Sequence, residues 1–201
     1  MKSKNINQLV LAGVLCGIGI VVPMLMPKIV IGPMSFTLAS HVAIFIAMFI
    51  SPKLAAVVCL GTTLGFFMTT PVIIALRAAS HICFALLGAV LIRKIPEIIE
   101  KPLPSTVFNG GLAFVHALAE VAVVSPFFLA GSIFKPEQLA DGYVMSVLVL
   151  VGVGTFLHSL IDYTVSIMLW KPVRAALPSL AELREYAVFP AGRGFGLLRS
   201  G

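Results

Sequence analysis

The chain has 201 residues, 59% of them hydrophobic and 11% charged, with a mean hydropathy of +1.08 and a net charge of +6. Soluble domains carry about 25% charged residues, so this composition excludes a soluble globule and calls for a lipid bilayer as solvent. The basic residues flank apolar runs and form no stripe with interleaved aromatics, which excludes a nucleic-acid surface.

In chain order, MKSKNINQ precedes an apolar run with the outline of a signal peptide. The run continues to Met26 without an A-x-A-like cleavage site, so residues 9–22 read as a first retained span ending near Pro23. Pro23, Pro27 and the Gly32–Pro33 pair spoil the next segment for a continuous helix. KIVIGPMSF is expected to form a partly buried apolar loop, either a lid or a surface-lying connector. Further spans are expected at residues 36–50, 54–68, 72–92, 107–130 and 143–170, the second and third being short for a bilayer. Proline-rich and charged connectors separate them. The reading is an all-α bundle of six transmembrane helices, one membrane domain over residues 1–175. A polar tail follows over 176–201, with AELREYAV as one short helix and a glycine-rich, disordered end. Cys16, Cys59 and Cys83 lie within apolar runs and read as small packing residues.

Charge sets the orientation. With the N-terminus inside and six crossings, cytoplasmic segments hold eleven basic residues and outer segments two, Lys28 and Lys135. That bias places both termini in the cytoplasm of a multi-pass cell-membrane protein.

Polar residues within the spans carry the functional signal. Arg77, His81, His116, Glu120, His158 and Asp162 fall inside apolar runs, and His41 near the start of the second. Ionisable groups at membrane depth are costly and mark ligand or ion paths. Arg77/His81, His116/Glu120 and His158/Asp162 are each four apart, so each pair shares a helix face. Three inward stripes would make one polar centre. A rise of about 1.5 Å per residue puts Arg77, His81 and Glu120 toward the outer side, with His116 one turn deeper. His158 and Asp162 read as a deeper network or a packing pair, and Glu120 as ligand group or partner of Arg77. His116, Glu120, His158 and Asp162 include metal-ligand types, but H-E-x-x-H and G-x-S-x-G are absent and the four histidines fall on four different helices. No enzyme, metal or cofactor is therefore expected. On the first helix, Ala12-x-x-x-Cys16 and Gly13-x-x-x-Gly17 form a small-residue face for another helix, internal or on a partner.

This layout resembles the substrate-binding S component of an energy-coupling-factor vitamin transporter. The stretch SFTLASHVAIFIAMFISPKLAAVVCLGTTLGFF with LRAASH is similar to the niacin-type S components. The resemblance implies a vitamin bound near the outer face under the first loop. It also implies docking through the Ala12/Gly13/Cys16/Gly17 face onto a membrane coupling subunit that works with two ATPases. The chain has no G-x-x-x-x-G-K-[ST] of its own. A pyridine carboxylate would suit Arg77 as a bidentate fork, with His81 or His116 on the ring nitrogen and phenylalanines stacked. Pyridoxine and hydroxymethylpyrimidine remain alternative ligands. A small membrane metallo- or haem protein built on the same histidines is the alternative of another class.

Overall fold

The computed structural model describes residues 2–31, 33–131, 134, 136 and 141–176. The tail past Ala176 and most of the connector expected over 131–142 lie outside the described residues.

Helix α1 (Lys2–Leu25) carries Pro23 in its last turn. Two short strands follow, β1 (Lys28–Ile31) and β2 (Met34–Thr37), paired antiparallel with Lys28 opposite Thr37 and Ile31 opposite Met34. The segment expected as an irregular loop is thus a hairpin. Strand β1 is exposed throughout, and β2 turns Met34 and Thr37 inward.

The run expected as the second span, residues 36–50, divides between two elements. Its start completes β2, and only Val42–Ile50 is helical, as α2. Nine residues rise about 14 Å, half of a ~30 Å hydrocarbon core. Every residue from Ala43 to Ile50 is buried. This helix occupies the centre of the bundle, against α1, α3 (Pro52–Thr69), α4 (Val72–Lys94) and α6 (Gly154–Ala176). Phe45 and Phe49 meet Tyr163 edge-on at ring separations of 5.5 and 5.7 Å.

A single residue makes the turn between α2 and α3. Ser51 accepts the Leu54 N–H and Pro52 opens α3, a serine cap with proline in the first turn. Arg93 and Lys94 close α4, favourable at the negative end of a helix. Helix α5 (Pro102–Ala130) begins five residues before the expected start and stops at Gly131, whose φ of 62° ends the helix left-handed. A π-helical stretch, Val144–Val153, runs directly into α6.

Five helices among the described residues are long and apolar enough to cross a membrane: α1 from Ile6, α3, α4, α5 and the continuous Val144–Ala175 rod. Leu9, Leu64, Phe114, Leu118, Leu157 and Ile161 are all more than half exposed on their outer faces. An apolar exterior around a polar centre is the arrangement a bilayer demands. The chain is a multi-pass, all-α membrane protein with one small hairpin.

Helix α1 sorts its small residues by face. Ala12 is buried and Cys16 sits against Gly61 of α3, while Gly19 faces Thr62. Gly13 and Gly17 look outward, with nothing within 4 Å of a Cβ placed on either. A Cβ at Gly61 would collide with the Cys16 Sγ. Gly61→Ala is expected to cost about 1–3 kcal/mol by overpacking, read as a lowered midpoint of thermal unfolding in detergent. Adding Cys16→Ala should restore most of the loss, whereas strict additivity of the two changes would refute this contact.

Candidate functional site

All four histidines of the chain converge at the inner end of the hairpin. His41 precedes α2, His81 lies on α4, His116 on α5 and His158 on α6. The His41 ring centroid is 4.5, 4.7 and 4.9 Å from those of His81, His116 and His158, and His81 and His116 are 4.8 Å apart. None of the four is more than 6% exposed. The i,i+4 stripes on α4, α5 and α6 all face this centre, and the segment between β2 and α2 supplies its fourth side.

Two carboxylates organise the cluster. Glu120 takes two hydrogen bonds on one oxygen from Arg77, Nε at 3.0 Å and Nη2 at 2.7 Å, and a third on that oxygen from the Thr155 hydroxyl at 2.6 Å. Its other oxygen faces His81 Nε2 at 3.3 Å and His116 Nε2 at 3.4 Å, the latter without hydrogen-bond geometry. Asp162 holds the hairpin's exit. It accepts the Ala39 N–H at 2.8 Å, the His41 N–H at 3.0 Å and His41 Nδ1–H at 2.9 Å, and its Oδ2 stands 3.3 Å from His158 Nε2. Ser40 bridges His41 and His158 at 3.2 and 3.1 Å. The carboxylates are 3% and 0% exposed, so each needs these partners to be tolerated.

The two networks meet where His41 Nε2 lies 3.4 Å from His81 Nε2. His158 and Asp162, read as a deeper network or a packing pair, thus join the cluster that holds Arg77, His81 and Glu120. Because α2 is short, the hairpin dips into the bundle and brings Ser40 and His41 to the level of α6. Phe36 of β2 stacks on His158 at 4.9 Å and 20°.

A cavity of about 350 Å³ lies between hairpin and cluster, within the range of small-molecule sites. Ser35, Phe36 and Ser40 line it on one side, and Arg77, His81 and His158 on the other; Ile44, Ile73 and Phe66 add apolar wall. Arg77 lines this space, and its Nη1 makes only a long 3.4 Å contact to Ser35 Oγ. His116 lies behind the wall, 0% exposed, with neither ring nitrogen hydrogen-bonded. Ala12, Gly13, Cys16 and Gly17 are not part of the cavity wall.

Sequence reasoning passed over Ser35, Ser40 and Thr155, short hydroxyls that look ordinary until the hairpin is folded. It noticed Asp162 without assigning it a place in the site. The alternation Met34-Ser35-Phe36-Thr37 after a Gly-Pro pair was the available signal, a strand pattern following a turn.

No family model matches the chain, and no solved structure does. It is 38% identical to the niacin transporter NiaX of Lactococcus lactis subsp. cremoris (strain MG1363) over 179 residues, 88% of this chain and 79% of that protein.

Proposed function

This chain belongs to the niacin-transporter family, and from that premise we propose that it is a niacin-binding S component of an energy-coupling-factor importer, a capture subunit and not an enzyme. The observation that carries the ligand assignment is Arg77. Its Nε and Nη2 are engaged by Glu120, Nη1 makes only a long contact to Ser35, and the residue lines a mostly apolar cavity. A pyridine carboxylate needs those two things, a cation at one end and an apolar slot for the ring. Phe36 offers a stacking face, and His81 or His158 can donate to or accept from the ring nitrogen. The hairpin is the lid over this ligand.

Six membrane crossings with both termini cytoplasmic fit the fold. The hairpin and α2 together make the second crossing, the hairpin filling the outer half and α2 the inner half. Lys53, Arg93, Lys94 and Lys101 then lie at the cytoplasmic side and Lys28 at the outer side. Gly13 and Gly17 supply an open small-residue stripe on α1 for a coupling subunit, which would bring the two ATPases.

The test is niacin binding to the purified protein in detergent by calorimetry. Arg77→Lys keeps a charge for Glu120 but loses the planar fork, and a charge-assisted hydrogen bond is worth about 1.5–3 kcal/mol. The expected loss is roughly 10- to 150-fold in affinity, with Arg77→Ala at least as weak. Unchanged affinity in both variants would remove Arg77 from the site.

A further inference from the structure

We propose that His41, His81 and His116, with the Glu120 oxygen that faces them, bind one divalent transition-metal ion of the zinc class at the back of the cavity. The donor atoms of the three imidazoles lie within 4.8 Å of one another, and all three residues are buried. Neighbouring ligands of a tetrahedral zinc, at 2.0–2.1 Å from the ion, stand about 3.4 Å apart. Three separations here match that edge: His41 Nε2 to His81 Nε2 at 3.4 Å, His81 Nε2 to Glu120 Oε1 at 3.3 Å, and His116 Nε2 to the same oxygen at 3.4 Å.

Two further observations point to a cation. His116 is 0% exposed, yet neither of its ring nitrogens has a hydrogen-bond partner. Buried polar atoms are nearly always paired, and a metal at Nε2 supplies a partner. His41 meets Asp162 through Nδ1 at 2.9 Å, which fixes its other nitrogen as the one with a free lone pair. A histidine ligand held by a carboxylate in this way is the usual arrangement around zinc. Imidazole and carboxylate donors suit zinc, cobalt and nickel.

Charge gives the ion a purpose. Among the described residues, the charged side chains lining the cavity are Lys28, Arg77 and Glu120, with Asp162 behind the wall against His41 and His158. A divalent ion beside Glu120 adds positive charge at the back of the cavity and makes it more receptive to a carboxylate. This last step rests on the niacin reading; the metal site itself does not.

The experiment uses the full chain in detergent, stripped with a chelator and titrated with cobalt(II). We expect one equivalent per chain with the intense visible bands of four-coordinate cobalt, displaced by zinc. His116→Leu should weaken cobalt binding roughly 100-fold or more, as loss of a ligand exceeds the 10- to 100-fold effects of outer-shell changes. The same substitution should leave the metal-free unfolding midpoint unchanged or raised, because it fills the space with apolar atoms. A histidine with only a structural role would instead lower that midpoint and leave the cobalt spectrum intact, which overturns the proposal. Stripped protein that takes up no cobalt yet binds niacin as before also overturns it and leaves the niacin reading standing. Cobalt uptake with no niacin binding in any form supports the metal site and removes the niacin reading instead.

Discussion

Asp162→Ala is expected to destabilise the protein by about 3–5 kcal/mol, the usual cost of removing one side of a buried charged network, and to release the hairpin. The carboxylate is 0% exposed and receives the Ala39 and His41 amides and the His41 ring N–H, all within 3.0 Å. Without it three donors at the hairpin's exit, two of them on buried His41, lose their acceptor at once. Ala39 sits at φ 65°, a left-handed conformation that costs an alanine about 1–2 kcal/mol. The hydrogen bond from its amide is what holds it there. Asp162→Asn should be nearly as damaging, since one oxygen becomes an NH₂ facing donors. The measurement is the unfolding midpoint in detergent together with amide exchange over residues 28–41. Fast exchange confined to that segment is the expected pattern, and unchanged protection there would show that Asp162 does not anchor the hairpin. Niacin affinity should fall in parallel, because Phe36, Ser40 and His41 all depend on the same anchor for their positions.

What the sequence revealed and what it concealed divide along physical lines. The long apolar runs announced α3, α4 and α5 because a bilayer permits little else at that length. The i,i+4 pairs announced three inward faces because helical period fixes which residues share a side. Neither rule reaches across elements. Nothing local in Ser-His at 40–41 states that this dipeptide lies against Asp162, more than a hundred residues later in the chain. The misread segment is instructive for the same reason. Residues 36–50 are apolar enough for a span, yet apolarity reports burial and not length of helix. A nine-residue helix buried on every side carries the same signal as half of a longer one at the lipid boundary. The dip of the hairpin turns three separate helix stripes into a single site, and it depends on α2 being short. Helix α1 shows the converse. The small residues were visible, but their division into an inward pair, Ala12 and Cys16, and an outward pair, Gly13 and Gly17, required knowing where α3 lies.

Arg77 and Glu120 provide the second large effect, and their pairing separates stability from binding. Glu120→Leu should destabilise by about 3–5 kcal/mol, because it strands a buried guanidinium that now has only long contacts to Ser35. Arg77→Met alone should cost a similar amount by leaving the carboxylate with Thr155 and the histidines only. The double variant Arg77→Met, Glu120→Leu removes both charges and should recover much of the loss, since replacing a buried ion pair by apolar groups of similar size is often neutral or better. The unfolding midpoints of the four proteins then form a double-mutant cycle, with coupling expected to exceed the roughly 0.5–3 kcal/mol seen for contacting residues in general. Additive midpoints would mean that the 2.7 Å contact carries little energy. The binding readout runs the other way. A stable double variant should still fail to bind niacin, because the cavity has lost its buried guanidinium in favour of an apolar wall and keeps only Lys28, on the exposed strand β1, as a cation among the described lining residues. Stability restored without binding would show that this ion pair is kept in the membrane for the ligand's sake, since a cheaper apolar core was available to the fold.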